Sequence, residues 1–70
     1  MERVSVSSSN IATVGHDEPT QVLEVEFLNG ALYEYYDVPE YVYQELISAS
    51  SVGSYFAQRV KNSYSFSRTG

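Results

Sequence analysis

The feature that most constrains the fold is an Asn29-Gly30 dipeptide between two runs of alternating apolar and polar residues, 21–28 and 31–36. Both residues of the dipeptide tolerate a positive φ angle, and such a dipeptide between alternating runs is the strongest short-range signal of a β-hairpin. Alternation with a period of two gives each strand one apolar and one polar face. We therefore predict two antiparallel strands that reverse at Asn29-Gly30.

The length of the hairpin loop decides which side chains face the core. In a two-residue loop, Val25 lies opposite Glu34, which then points into the core, while Tyr33 and Tyr35 form an exposed aromatic platform. In a three-residue loop that ends at a left-handed Gly30, Val25 lies opposite Tyr33 and Glu34 faces water. Burying an unpaired carboxylate costs more free energy than exposing two apolar side chains. We favour the three-residue loop, which makes the central tyrosines core residues.

Two short runs before the hairpin also have the character of strands. Residues 3–7 alternate polar and β-branched side chains, as in a half-buried strand, and residues 11–15 form another strand-like run. The serine-rich stretch between them predicts a bend rather than a flexible tether. Residues 16–20 are polar and contain Pro19, so we predict a turn there. The N-terminal half is therefore an antiparallel meander.

Two helices are predicted after the hairpin. Asp37 or Val38 suits the cap of the first, Pro39 its first turn, and Glu40 the positive end of its dipole, and the helix ends near residues 48–50. Its apolar positions recur at three- and four-residue spacing: Val42, Tyr43, Leu46 and Ile47.

The second helix is shorter, and Ser50 or Ser51 can cap it. It ends at Asn62, and its inward positions repeat at four-residue intervals: Val52, Phe56 and Val60. Residues 63–70 alternate again, which leaves open a final edge strand or an extended tail. The predicted fold class is α+β, an antiparallel β-meander with two C-terminal helices packed on one face.

Seventy residues without cysteine form one small domain, residues 1–70, that cannot be stabilised by disulfides. No window approaches the roughly 18 apolar residues of a membrane span, and the N-terminus has no apolar signal region. These observations predict a soluble cytoplasmic protein that does not contact a membrane.

The charge is unevenly distributed along the chain. Residues 1–50 contain all nine acidic residues and a single cation, Arg3, whereas residues 51–70 contain three cations and no acid. The overall charge of −5 argues against a nonspecific nucleic-acid binder, which relies on a positive field. The basic C-terminal segment still allows nucleic-acid binding at that end of the chain, although the same charge pattern is also explained by solubility alone.

Catalytic patterns are not found in this sequence. His16 with Asp17 and Glu18 is a poor metal site, because adjacent turn residues rarely converge on one ion, and it is poorly placed for a serine triad. Glu24 and Glu26 share a strand face where they solvate the sheet. The glycine spacing matches no phosphate-binding loop. We predict no enzyme activity, no cofactor and no metal.

Aromatic and basic residues interleave in the C-terminal segment, a mixture that binds single-stranded nucleic acid by stacking and phosphate contact. The same residues also fit a simple division into core and surface, in which Tyr55 and Arg59 form an i,i+4 pair. Both interpretations stay open. The candidate nucleic-acid-binding residues are Tyr55, Arg59, Lys61, Tyr64 and Arg68.

Five segments in order cover nearly the whole chain: Ser7-Ser8-Ser9-Asn10-Ile11, Leu23-Glu24-Val25-Glu26-Phe27 with Asn29-Gly30, Tyr33-Glu34-Tyr35 with Val38-Pro39, Ser51-Val52-Gly53-Ser54-Tyr55-Phe56, and residues 61–66. Their order and spacing, with the Tyr-x-Tyr and Gly-x-Tyr-Phe steps, resemble the KTSC domain. That family is named for a C-terminal appendage of some lysyl-tRNA synthetases and also occurs as small stand-alone bacterial proteins. The synthetase context suggests RNA binding.

Two functions follow as hypotheses. The first is a noncatalytic nucleic-acid-binding module, for RNA in particular, in which Arg59, Lys61 and Arg68 contact phosphate while Tyr55 and Tyr64 offer stacking faces. The second is a protein-interaction module, whose acidic sheet face or edge strand binds a basic protein partner or pairs two copies.

Overall fold

Five antiparallel strands form one sheet in chain order, β1-β2-β3-β4-β5, in a computed structural model that describes residues 2–70. This architecture confirms the predicted α+β fold, with the helices inserted between β4 and β5. The elements are β1 (Arg3–Ser5), β2 (Ile11–Asp17), β3 (Val22–Phe27), β4 (Leu32–Tyr35), α1 (Glu40–Ser48), α2 (Val52–Tyr55) and β5 (Phe66–Arg68).

The core lies between one face of the sheet and the two helices. Apolar side chains from the sheet meet the predicted stripes of both helices there, because each element buries the face on which its apolar residues recur. The buried hydrophobic residues are Ile11, Val14, Leu23, Val25, Ala31, Tyr35, Val38, Val42, Leu46, Val52, Phe56 and Val60.

The β3–β4 hairpin has the three-residue loop that we favour. Val25 lies opposite Tyr33 in the ladder, the Phe27 amide donates to the Ala31 carbonyl at 2.9 Å, and Gly30 has a φ of 91°. Only glycine adopts that left-handed conformation without strain. The register therefore directs the tyrosines of β4, rather than its glutamate, toward the helices.

The two central tyrosines differ in burial. Tyr35 is 4% exposed, and burial raises the pKa of its phenol. Tyr33 is half-buried, closer to the open end of the sheet. This difference leaves part of the inner sheet face uncovered near Tyr33.

The predicted turn at residues 16–20 is wrong in its first half. His16 and Asp17 belong to β2, where they pair with Leu23 and Val22. The reversal is tighter than expected because Gln21 adopts a φ of 55°, and its amide donates to the Glu18 carbonyl at 3.2 Å. A tight turn lets the ladder continue to Asp17.

The first strand and the first helix also differ in detail from the prediction. β1 is exposed rather than half-buried, because it is the outer strand of the sheet. Pro39 is the N-cap of α1 rather than part of its first turn. Neither Asp37 nor Val38 caps the helix: Asp37 has a φ of 59°, and Val38 is fully buried with its amide bonded to the Gln21 carbonyl at 2.8 Å.

The second helix has Ser51, one of the two predicted cap residues, as its N-cap. The Ser51 hydroxyl accepts a hydrogen bond from the Ser54 amide at 3.3 Å. α2 then continues without a break into a π-helical turn, Phe56–Val60, in which the Lys61 amide donates to the Phe56 carbonyl at 2.9 Å. The chain returns as β5, so the open question of the tail is settled as an edge strand.

On the sheet face away from the helices, Arg3 forms ion pairs with two glutamates. Arg3 lies opposite Gly15, which in turn lies opposite Glu24. Because Gly15 has no side chain, the guanidinium crosses β2 and reaches the Glu24 carboxylate at 3.3 Å and that of Glu26 at 3.9 Å. The acidic face of the protein-interaction hypothesis is thus partly neutralised within the chain, and that hypothesis stays a prediction.

Candidate functional site

A groove with a volume of about 620 Å³ opens where the helices leave the inner sheet face uncovered. This volume lies within the range of small-molecule pockets, roughly 300–1,000 Å³. Its lining is aromatic, amide-bearing and basic: Ser9, Asn10, Phe27, Leu28, Asn29, Ala31, Tyr33, Tyr35, Gly53, Phe56, Ala57, Lys61, Asn62, Phe66 and Arg68.

The register of β4 and β5 builds the floor of the groove. Tyr33 lies opposite Arg68, and Tyr35 lies opposite Phe66, so all four side chains share the inner face. The Phe66 ring lies 5.8 Å from the Tyr33 ring and 5.4 Å from the Tyr35 ring, measured between centroids. Phe66 is nevertheless 54% exposed. The floor therefore presents an accessible aromatic surface next to a cation.

The π-helical turn forms a wall of the groove. The Phe56 ring is anchored by edge-to-face contacts with Phe27 at 5.7 Å and with Tyr35 at 5.4 Å. Lys61 follows the turn directly and also lines the groove. Single π-helical turns occur frequently at functional sites, because the extra residue alters where the following side chains point.

In the described part of the chain, the cations of the C-terminal segment form no ion pair with an Asp or Glu side chain. Within residues 2–70, the ion pairs all involve Arg3, and none involves Arg59, Lys61 or Arg68. Arg68 donates from Nε to the backbone oxygen of Gly70 at 2.9 Å, which orients its guanidinium. In a chain with nine acidic residues, two cations that pair with no Asp or Glu of residues 2–70 and lie beside the exposed ring of Phe66 favour an anionic ligand with flat groups.

The five predicted binding residues do not all belong to this groove. Lys61 and Arg68 line it, whereas Tyr55, Arg59 and Tyr64 do not. Tyr55 and Tyr64 pack against the core, and the Tyr55 hydroxyl donates to a Glu45 oxygen of α1 at 2.6 Å. Contacts with the core therefore cover part of the Tyr55 and Tyr64 rings.

Phe66 and Tyr33 lie beside Lys61 and Arg68 in the groove, although they are not among the five predicted binding residues. The signal was present in the alternation of residues 63–70, which places Phe66 and Arg68 on the same face of a strand. That face could be assigned only with the pairing of β5 to β4, which sequence alone does not provide.

His16, which the sequence analysis places in a turn, has a structural role at the end of β2. Its Nε2–H donates to the Val38 carbonyl oxygen at 2.6 Å, and its ring stacks on Tyr43 at 5.6 Å. The nearby Glu18 and Glu40 carboxyls share a hydrogen bond, which raises the pKa of Glu18 and lowers that of Glu40. The described part of the chain holds no group of three side chains placed to bind a metal ion.

None of the helices found in residues 2–70 has the length and apolar character needed to cross a bilayer.

Raising the pH is expected to destabilise the fold through Tyr55. Burial and the hydrogen bond to Glu45 raise the pKa of Tyr55 from 10.0 to about 12. A raised pKa means that the protonated phenol stabilises the fold fully below pH 10, and that this contribution is lost as the pH rises through 12. The check is urea unfolding at about pH 8 and about pH 11, with phenolate absorbance followed in parallel.

The control for this effect is a pair of phenylalanine variants. Tyr55→Phe should lower the free energy of unfolding by about 1 kcal/mol at neutral pH and reduce its fall at alkaline pH. Tyr41→Phe changes a side chain that is 65% exposed and should behave as the wild type. Equal alkaline sensitivity in the Tyr55→Phe variant and the wild type would contradict the assignment.

The fold and the groove define a small α+β module with a basic, aromatic recess. A family model described as KTSC domain matches residues 7–64, and the chain belongs to this family. The crystal structure of a KTSC domain protein from Yersinia pestis superposes with a TM-score of 0.92 at 36% identity, covering 99% of this chain and 97% of that one. The family description states no reaction.

The chain is similar to short proteins of about its own length and to segments of much longer ones. An uncharacterized protein from Stutzerimonas stutzeri is 48% identical over 87% of this chain and 86% of its own length. A lysine–tRNA ligase from Nostoc punctiforme is 36% identical over 83% of this chain, but the match spans only 10% of the ligase. A segment related to this chain therefore makes up most of the first relative and a small part of the second.

Proposed function

We propose that this protein is a noncatalytic module that binds nucleic acid, RNA in particular, through the groove. Lys61 and Arg68 contact phosphate, and Phe66 and Tyr33 provide the aromatic surface beside them. The observation that carries the proposal is that, within residues 2–70, neither cation pairs with an Asp or Glu side chain, and both line the same aromatic groove. Arg59, Tyr55 and Tyr64 then lie outside the contact surface.

The charge distribution is compatible with this function despite a net charge of −5. The acidic residues all precede residue 51, and Glu24 and Glu26 carry their charge on the sheet face away from the groove, where Arg3 pairs with both. Fields from exposed charges fade over a Debye length, about 10 Å at 0.1 M salt. Glu34 lies opposite Glu24 and Ser67 in the ladder and so shares that outer face, which leaves the groove side of the sheet to Arg68.

The larger relatives support RNA as the nucleic acid. The names of three of them, from two Nostoc strains and Trichormus variabilis, state that they are lysine–tRNA ligases. A module that is covalently attached to an enzyme acting on tRNA lies close to that RNA and can bind it. This support is by association, and the groove chemistry supplies the physical reason.

The test is a titration of labelled RNA at two salt concentrations with three charge variants. We expect salt-sensitive binding by the wild type, since phosphate contacts release counterions. The double variant Lys61→Gln/Arg68→Gln should weaken binding on the order of tenfold and lower the salt slope by about 2. Arg59→Gln removes one cation outside the groove and is the matched control, with near wild-type affinity expected.

Two results would contradict the proposal. Unchanged affinity in the double variant would show that the groove does not contact phosphate. A loss in Arg59→Gln as large as that in Lys61→Gln alone would place the contact on general surface charge or on the helical side, near Tyr55.

A further inference from the structure

The groove and the exposed ring of Phe66 indicate which form of nucleic acid fits this site. We infer that the groove takes an unpaired base of a single strand, which packs on Phe66 while its neighbouring phosphates contact Lys61 and Arg68. This inference rests on the proposed function and narrows it from nucleic acid in general to unpaired nucleotides.

The accessible aromatic surface of the groove lies on its floor rather than on a protrusion. Phe66 is 54% exposed and Leu28, on the hairpin loop, is 61% exposed, yet both line the same recess. Of the other rings that line the groove, Tyr35 and Phe56 are buried, and Tyr33 and Phe27 are half-buried. Phe66 is therefore the most exposed of the aromatic rings that line the groove.

A duplex cannot make this contact. Its bases are stacked inside the helix, and the wide minor groove of A-form RNA is shallow and is contacted by protruding elements. An unpaired base has two free faces and can be turned out of the strand to stack on an aromatic side chain. The recess therefore favours single-stranded segments, loops or ends over duplex.

The two cations that line the groove come from different elements of the fold. Arg68 is on β5, in the floor beside Phe66 and opposite Tyr33 in the ladder. Lys61 is on the other side of the chain reversal, directly after the π-helical turn that forms the wall. Because the two charges come from different elements that border the recess, successive phosphates of one strand can contact one cation each.

The volume of the groove agrees with this ligand. About 620 Å³ is the size of a pocket for one small organic molecule. It suits one or two nucleotides and not a helical turn of duplex. The contact is therefore short, and we expect modest affinity with little dependence on length beyond a few nucleotides.

The experiment compares one RNA sequence as a single strand and as a duplex with its complement, at low salt. Three variants test the ring. Phe66→Leu keeps an apolar side chain in β5 but removes the stacking face, Phe66→Tyr keeps an aromatic ring, and Tyr41→Leu removes an exposed tyrosine of α1 outside the groove. Circular dichroism confirms that each variant is folded.

We expect the wild type to bind the single strand at least about tenfold more tightly than the duplex. Phe66→Leu should lose most of this preference, since one base stack on an aromatic side chain is worth roughly tenfold in affinity. Phe66→Tyr and Tyr41→Leu should retain it. In amide shift mapping, the perturbed residues should include Lys61, Phe66 and Arg68.

Equal binding of single strand and duplex, or an unchanged preference in Phe66→Leu, would overturn the inference. The proposed function would survive either result, provided that Lys61→Gln/Arg68→Gln still weakens binding. An absence of binding to both RNAs at low salt would overturn the inference and the proposed function together.

Discussion

Replacing Phe56 with alanine is expected to remove a large part of the stability of this domain. The side chain is 4% exposed and contacts two other rings edge-to-face, those of Phe27 and Tyr35. Truncation of a buried phenylalanine costs about 3–5 kcal/mol, through lost burial and the cavity that remains. A domain of this size has a free energy of unfolding of roughly 4–10 kcal/mol. Urea unfolding followed by circular dichroism measures the loss.

The matched control for Phe56 is Phe66, another phenylalanine in contact with Tyr35. Phe66 is 54% exposed, so its replacement by alanine should cost less than about 1 kcal/mol. The difference between the two losses of stability distinguishes a ring that packs between sheet and helix, Phe56, from an exposed ring that can contact a ligand, Phe66. Similar losses of stability in both would mean that Phe66 is a core residue, and would weaken the proposed binding role.

Replacing Gly15 with alanine is expected to displace β1 from the sheet. A Cβ at this position would lie 2.6 Å from the Glu2 carbonyl oxygen and 2.8 Å from Cγ of Arg3. The backbone oxygen cannot rotate away, so β1 must shift, and the Arg3 contact with Glu24 is lost with it. Overpacking of this kind costs about 1–3 kcal/mol. Hydrogen exchange should show faster exchange at β1 and its partners in β2.

The control is the same substitution at Gly53. A Cβ there would meet two side-chain atoms, Oδ1 of Asn10 at 3.2 Å and the Ser8 hydroxyl at 3.3 Å, which can move by a few tenths of an ångström. Alanine is also favoured over glycine in a helix by about 1 kcal/mol. Gly53→Ala should therefore be close to neutral. A neutral effect of Gly15→Ala would contradict the prediction, because it would mean that β1 accommodates the new methyl group without leaving its register.

The local elements of this fold could be predicted from the sequence because their signals are short-range. The Asn29-Gly30 hairpin, the three-residue loop and the cap at Ser51 each depend on the conformational preferences of a few neighbouring residues. The inward stripes of the helices depend on periodicity, which is also local. The errors at His16 and Pro39 lie at the ends of elements, where a tight turn or a cap shifts a boundary by one or two residues.

The candidate site was predicted only in part, and the reason is geometric. Lys61 and Arg68 were identified by charge, but which aromatic ring lies beside them depends on the pairing of β5 with β4. That pairing joins segments about 30 residues apart, a distance over which local preferences carry no information. Tyr55 resembled a stacking residue by composition, but its hydroxyl is bonded to Glu45 of α1.

The sequence by itself determined the strands, the helices and the faces that they bury, because alternation, spacing and turn chemistry act within a few residues. It also determined that the C-terminal segment has cations without nearby acids. Only the tertiary structure decided that two of these cations meet Phe66 and Tyr33 in one groove, whereas Arg59 does not. The physical reason is that a groove forms where elements distant in the chain leave a face uncovered, and this depends on their packing.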